Sequence, residues 1–281
     1  MSNMVGQKQR PLNRLERELP EGVLVDAAWL KRHGYSRQLL NHYVSARWLE
    51  QPTRGVYRRP RGSLTWQRVV ISAQAFLDYP LVVGGRTALE LQGYAHYLSH
   101  ETKQVHLYGP KRPPGWLSNL RLGVRFAYHN DRKLFRKNLV ASQLQSLAEA
   151  RKNAKECADD SLTELPWGQW DWPLILSTPE RALLELLDEL PGRETFHQVD
   201  MLVQGMANLS PRRLQKLLAD CKNVKVKRLF FFFADRHRHA WLKKLKKEDF
   251  DLGRGKRMLV KGGKLDQAHQ ITVPEDLNGL S

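Results

Sequence analysis

Three groups of residues in this 281-residue chain have the types and spacing to do chemistry. The first is Ser36, a helix-capping type, followed by Arg37, Gln38, Asn41, His42 and Ser45, polar side chains that fall on one face if the stretch is helical. Arg pairs with the guanine edge, and Asn and Gln with the adenine edge, so Arg37, Gln38 and Asn41 are suited to reading bases. The second is Leu81-Val82-Val83-Gly84-Gly85-Arg86-Thr87, an apolar strand running into two glycines and then a helix. Backbone donors at such a helix start can approach a nucleotide phosphate. Nucleotidyl transfer would also need paired carboxylates close behind to hold metal ions. Only Glu90 and then Glu101 follow, so the glycines are expected to serve backbone geometry or close packing. The third is Asp235-Arg236-His237-Arg238-His239. On a helix, positions i and i+2 diverge, and the two arginines disfavour a cation, so a basic helix end is expected there rather than a metal site. No Ser/His/Asp or Cys/His arrangement is legible. No catalytic residue, cofactor or metal is expected, and the chain reads as a non-enzyme.

The first group needs a scaffold that holds one helix face outward. Leu12 to Leu19 reads as a short amphipathic helix stopped by Pro20. Asp26 to Gly34 reads as a second helix, with Asp26 as N-cap and Gly34 as its stop. Ser36 then caps a third helix to about Arg47, with Leu39, Leu40, Tyr43 and Val44 on its inner face. Trp48, Leu49, Val56 and Tyr57 are expected to return to the core side. Between them Thr53-Arg54-Gly55 reads as a hairpin tip, with Arg58 and Arg59 on the returning strand. This is the pattern of a helix-turn-helix with a wing, whose second helix lies in the major groove. Basic wing residues Arg54, Arg58 and Arg59 suit phosphates or the adjacent minor groove.

Charge points the same way. The chain carries 46 Lys+Arg against 29 Asp+Glu, a formal net charge of +17, which favours a polyanionic partner. Residues 1–65 contribute +7, 66–150 +6, 151–205 −6, 206–265 +13 and 266–281 −3. Apolar residues are interleaved through both basic regions, so the charge belongs to folded surfaces. Within the last basic region Lys225, Lys227, Arg228, Arg236, Arg238, Lys243 and Lys244 are expected to form a second basic surface. Two cysteines cannot make a disulfide framework. The apolar stretches are far short of the ~20 residues needed to span a bilayer. The first ten residues are polar and lack a secretion signal's apolar core. A cytoplasmic protein with no membrane partner is expected.

The turn-rich Arg59-Pro60-Arg61-Gly62-Ser63 marks a domain boundary, giving a DNA-binding domain over 1–62 and a larger α+β domain over 63–281. A polar insertion near 148–169 is expected as a long surface loop or a partly ordered insertion within the second domain. Within the larger domain, helices are expected from Thr65, from Arg181 to Leu190, from Ser210 to about Lys222 and from about Val226 to Leu245. Strands are expected at 81–83, 105–108, 124–128, 256–260 and 269–273. Ser177 and Glu180 have capping-box spacing. The run Leu229-Phe230-Phe231-Phe232-Phe233 reads as core, or as a protein interface if exposed. The fold class is therefore α+β, an N-terminal winged helix-turn-helix followed by a mixed domain.

These residues carry a resemblance. Leu24 to Leu30, Trp48-Leu49 and Arg54-Gly55-Val56-Tyr57 resemble the winged-helix domain of AbiEi-type antitoxins. Val82 to Gly93, Ser177 to Ala182 and Ala234-Asp235-Arg236-His237 are similar to later parts of the same family, and the likeness extends from about 12 to 276. It implies the antitoxin of a type IV toxin–antitoxin system, a phage-defence element. Such an antitoxin binds inverted repeats in double-stranded DNA of its own promoter, represses that operon, and counteracts a nucleotidyltransferase-like toxin without a stable complex. It is expected to be a monomer or a dimer assembling on the repeats. Two other readings stay open: a direct protein inhibitor of the toxin, motivated by Phe230–Phe233, and a nucleic-acid-processing enzyme using the glycine turn with Glu90 or Asp159 and Asp160.

Overall fold

A computed structural model describes residues 11–94, 102–137, 140, 161–168 and 171–278. It divides into two compact units.

The first unit comprises the described residues up to Tyr79 together with Pro114–Gly123. Its elements run α1 (Pro11–Glu18), β1 (Leu24–Asp26), α2 (Ala27–Arg32), α3 (Arg37–Ser45), β2 (Glu50–Thr53), β3 (Val56–Arg58) and α4 (Trp66–Ala75). The three strands form an antiparallel sheet in the order β1-β3-β2. Leu24 pairs with Arg58 and Thr53 with Val56, which leaves Arg54 and Gly55 as the hairpin tip. Gly55 takes the left-handed conformation there, at φ +76°. The starts of α2 and α3 are each fixed by a side chain: Trp29 N donates to Asp26 Oδ1 at 2.7 Å, and Leu39 N donates to Ser36 Oγ at 3.2 Å. Gly34, at φ +84°, makes the turn between α2 and α3. Leu15, Leu19, Leu24, Leu30, Leu40, Tyr43, Leu49 and Val56 close the core beneath them. The helix α4 is tied into this unit by Ser72 Oγ, which accepts from Leu24 N of β1 at 3.0 Å.

The second unit comprises the described residues of 80–113 and 124–281. It is built on a mixed sheet of β4 (Val82–Val83), β5 (Gln104–Gly109), β6 (Arg125–Asn130), β7 (Leu162–Trp167) and β8 (Trp172–Ser177), in the order β6-β5-β4-β8-β7. The helices are α5 (Gly85–Leu91), α6 (Pro179–Asp188), α7 (Phe196–Gln204), α8 (Pro211–Asp220) and α9 (Val224–His237), and β9 (Lys264–Asp266) pairs with β10 (Ile271–Val273). The expected class, α+β with an N-terminal winged helix, is the observed one.

Several local expectations need correction. The loop expected near 148–169 is a strand over Leu162–Trp167, paired residue for residue with Trp172–Ser177. Its exposed and half-buried residues alternate as on a sheet with one wet face, which local polarity disguised. Residues 148–160 lie outside the described residues. The helix expected to reach Leu245 ends at His237, because Arg238 turns left-handed at φ +50°. The strand expected at 256–260 is not formed; Arg257 alone bridges to Ile271, and the paired strand is Lys264–Asp266. Nor is there a Ser177–Glu180 capping box. Thr178 is the N-cap of α6 without a side-chain bond, while Glu180 accepts from Ser210 N at 2.7 Å and Arg213 Nη1 at 2.8 Å. The helix α9 is buried from Val226 to Ala234, so Phe230–Phe233 is core. That removes the observation behind an exposed aromatic interface.

Candidate nucleic-acid interface

The face of α3 opposite Leu40 and Tyr43 presents Arg37, Gln38, Asn41, His42 and Ser45 to solvent. Arg37, Gln38, Asn41 and Ser45 have no side-chain partner among the described residues, so their donors and acceptors are free for a ligand. Ser36 is differently used, its hydroxyl oxygen being held by the cap to Leu39 N. At the wing tip Arg54 is exposed.

The other two wing arginines do not point outward as free charges. Arg58 is half-buried, with Nη2 2.7 Å from Glu50 Oε2 and Nη1 donating to Gly62 O at 2.8 Å. Arg59 lies 3.2 Å from Glu21 and 3.7 Å from Glu16. Trp48, expected on the core side, is 43% exposed. Arg47 takes φ +58° after α3, and this left-handed turn swings Trp48 out while Trp48 N and Leu49 N both donate to Tyr43 O. Trp48 then packs edge-on against His42 at 5.6 Å. Arg47 and Trp48 thus extend the exposed face of α3. No local sequence signal marks a non-glycine residue as left-handed, so their place was not legible.

In the second unit the double glycine is a packing device. Gly85 N, at the start of α5, donates at 2.9 Å to Glu185 Oε2, a carboxylate with no solvent exposure. A Cβ on Gly84 would lie 2.3 Å from that oxygen and 2.4 Å from Tyr108 Cδ2. The site where a phosphate would sit therefore holds the protein's own carboxylate. Arg86 is occupied as well, by Glu194 at 2.8 Å and Gln198 at 3.2 Å. Among the described residues no group of three His, Cys, Asp or Glu could hold a metal ion.

Residues 102–274 match the family described as "Transcriptional regulator, AbiEi antitoxin, Type IV TA system". The chain belongs to the AbiEi antitoxin family. Residues 8–100 match the "Transcriptional regulator, AbiEi antitoxin N-terminal domain". The crystal structure of the RV2827C protein from Mycobacterium tuberculosis is similar in fold, with a TM-score of 0.56 over 92% of this chain and 88% of that one, at 14% sequence identity. No curated protein matches. AbiEi proteins are transcriptional regulators and antitoxins of type IV systems, and this chain shares that classification. Among the described residues no helix is long and apolar enough to cross a membrane.

Much of the second basic surface expected in this AbiEi chain is interior. Lys227 and Arg228 are each 3% exposed. Lys225 Nζ donates to Asp188 O and Leu190 O at 2.6 and 2.7 Å. Arg236 donates to Asp200 Oδ1 at 2.9 Å, which His237 shares at 2.7 Å. The helix α9 is buried along most of its length, and Lys225, Arg228 and Arg236 on it are held by carbonyls or by Asp200. Arg238, Lys243 and Lys244 remain exposed.

A chain of titratable groups runs inward from the end of α6. Arg193 pairs with Glu189, Glu189 with His129 Nδ1 at 2.9 Å, and His129 Nε2 lies 3.0 Å from His106 Nδ1. Burial, and then the charge of His129, push His106 down to about 4. The folded protein then binds fewer protons at this position than the unfolded chain between about pH 6.5 and about pH 4. Stability is expected to fall as pH drops through that window, by up to about 1.4 kcal/mol per pH unit. Urea unfolding of the wild type and His106→Asn across the window checks this: the variant should show a shallower slope, and equal slopes would refute it.

Proposed function

We propose that this AbiEi protein is an operator-binding autorepressor and antitoxin. It inserts α3 into the major groove at inverted repeats of its own promoter, in the cytoplasm. Arg37, Gln38 and Asn41 read base edges, His42 and Ser45 lie beside them, Ser36 fixes the helix start, and Arg54 reaches the flanking backbone or minor groove. The observation that carries this reading is the row of unpartnered polar side chains on α3, set on a sheet-and-wing scaffold with β1-β3-β2 order. The repressor counteracts a nucleotidyltransferase-like toxin encoded with it. The enzyme reading loses its motive, because Glu185 occupies the helix start where a phosphate would bind. Direct masking of the toxin by Phe230–Phe233 loses its motive because all four rings are buried.

Electrophoretic shift on the promoter DNA and on a scrambled duplex of the same composition tests the reading. Specific binding should exceed scrambled binding by at least about 10³ at physiological salt. Equal affinity for both duplexes would remove sequence-specific repression.

A further inference from the structure

A cleft of about 230 Å³ opens in the first unit between α1, residues 47–48 after α3, and residues 59–61 after β3. Leu12 and Leu15 of α1, with Trp48 and Pro60, give it an apolar lining. Leu15 is 1% exposed, so this wall belongs to the packed core and keeps its shape. Trp48 is braced from behind by α3, its ring 5.6 Å from that of His42 and 5.4 Å from that of Tyr43. The charged lining is Glu16, Arg47, Arg59 and Arg61. An apolar hollow with a few convergent charges is the usual form of a small-molecule site.

The charges around the cleft do not balance. Glu21 Oε1 is shared by Arg59 at 3.2 Å and Arg61 at 3.6 Å, and Glu16 Oε1 lies 3.7 Å from Arg59. Two carboxylates therefore face three guanidiniums, and Arg47 has no side-chain partner among the described residues. Its left-handed backbone, at φ +58°, is one that a non-glycine residue keeps only where the surroundings enforce it. The surplus is a single positive charge beside an exposed indole, and its complement is one anionic group on a flat ring. Volume sets the size of that ring system. A cavity of about 150 Å³ accepts benzene. The cleft's volume of about 230 Å³ leaves room for one ring and a carboxylate.

We propose that this cleft binds a small aromatic monoanion, one ring bearing a carboxylate, and that the bound ligand is an effector of DNA binding. Arg47 takes the carboxylate through paired N–H donors, and Trp48 covers the ring. Arg61 is 79% exposed and shares its only acid with Arg59, so it is free to turn toward the same group. A DNA phosphate would satisfy Arg47 equally well but makes no use of Leu12, Leu15 and the indole. Because Arg47 and Trp48 continue the exposed face of α3, the ligand sets a negative charge beside that helix and opposes the approach of DNA. The binding site does not depend on operator reading by α3, whereas its regulatory effect rests on that reading.

Isothermal titration of the full chain, free of DNA, with benzoate, benzamide and acetate tests the site. Benzoate should bind with a Kd of about 1 mM or tighter, within reach of so few heavy atoms. Benzamide keeps the shape without the charge, and acetate the charge without the ring, so each should bind at least about tenfold more weakly. Arg47→Gln with Arg61→Gln should weaken benzoate by about tenfold or more, and Trp48→Leu should do the same. All three side chains are exposed, so both variants should keep the wild-type unfolding midpoint. Arg54→Gln, at the wing tip, should bind benzoate as the wild type does. No heat with benzoate at about ten times the expected Kd, equal binding of benzamide, or unchanged affinity in both variants would overturn the proposal. In an electrophoretic shift, saturating benzoate should weaken operator binding about fivefold or more in the wild type and leave the Arg47→Gln, Arg61→Gln variant unaffected. Benzoate binding with unchanged operator affinity would overturn the effector role. A chain that binds benzoate but prefers no operator would sink the operator reading and leave the site standing.

Discussion

Replacing Arg181 by methionine is expected to destabilise the second unit by about 3–5 kcal/mol at neutral pH, the cost of breaking a buried ion pair from one side. Arg181 has no solvent exposure. Its Nε donates at 2.8 Å to Glu185 Oε1, its Nη2 lies 3.6 Å from Asp131 Oδ2, and its guanidinium stands 4.7 Å over the Phe135 ring. Glu185 in turn accepts from Gly85 N and from Ser177 Oγ, so this one carboxylate joins the double-glycine turn, β8 and α6. Methionine keeps the packing and removes the charge, leaving Glu185 and Asp131 as buried anions without their cation. Burial already raises both carboxyls above their ordinary range, with Arg181 opposing that rise. For an acid with a raised folded-state pKa, stability is present below the unfolded value and is lost as pH rises through the folded value. Loss of Arg181 raises both further, so the variant's deficit should shrink as pH falls and the carboxyls take up protons. Urea unfolding of Arg181→Met and wild type at neutral and mildly acidic pH measures this. A deficit that stays constant with pH would show that the loss is packing, not charge. Adding Glu185→Gln should recover part of the neutral-pH deficit.

The contrast between this cluster and the α3 face explains what the sequence could reveal. Asp26, Ser36, Gly34 and Thr53-Arg54-Gly55 act over one to four residues, so caps, turn and wing tip were legible from spacing alone. The polar face of α3 follows from the same local periodicity. Glu185 stands 100 residues from the Gly85 N–H that it accepts from, and no local pattern joins them. The glycines announced a close approach without saying to what. Arg58 and Arg59 looked like free wing charges because Glu50, Glu16 and Glu21 reach them only through the fold. On α9, periodicity misled for another reason. A helix buried nearly all round has no wet face, so Lys227 and Arg228 went inward among the phenylalanines. Arg228 then became the anchor of the segment 252–264 instead of part of a surface.

These pairings also separate the wing residues by function, and a salt titration on the operator makes the separation measurable. Each bidentate base contact is worth about 1–3 kcal/mol of discrimination, so Arg37→Ala, Gln38→Ala and Asn41→Ala together should cost roughly 3–9 kcal/mol. A loss of about 4 kcal/mol, the equivalent of a 10³ ratio, brings operator affinity down to the level of scrambled DNA. The salt slope of the residual binding should hardly change, because phosphate contacts remain. Arg54→Ala should do the opposite, weakening operator and scrambled duplexes alike and reducing the slope by about 0.9. Arg58→Ala should leave the slope nearly unaltered, since its charge is already spent on Glu50 and its Nη1 on Gly62 O. Its effect should appear instead as a lower unfolding midpoint, because the register of β2 against β3 loses the Arg58–Glu50 clasp. If Arg58→Ala flattened the slope as much as Arg54→Ala, the pair with Glu50 would have to open on DNA. The wing would then carry two phosphate contacts in place of the one that its ion pairs now leave free.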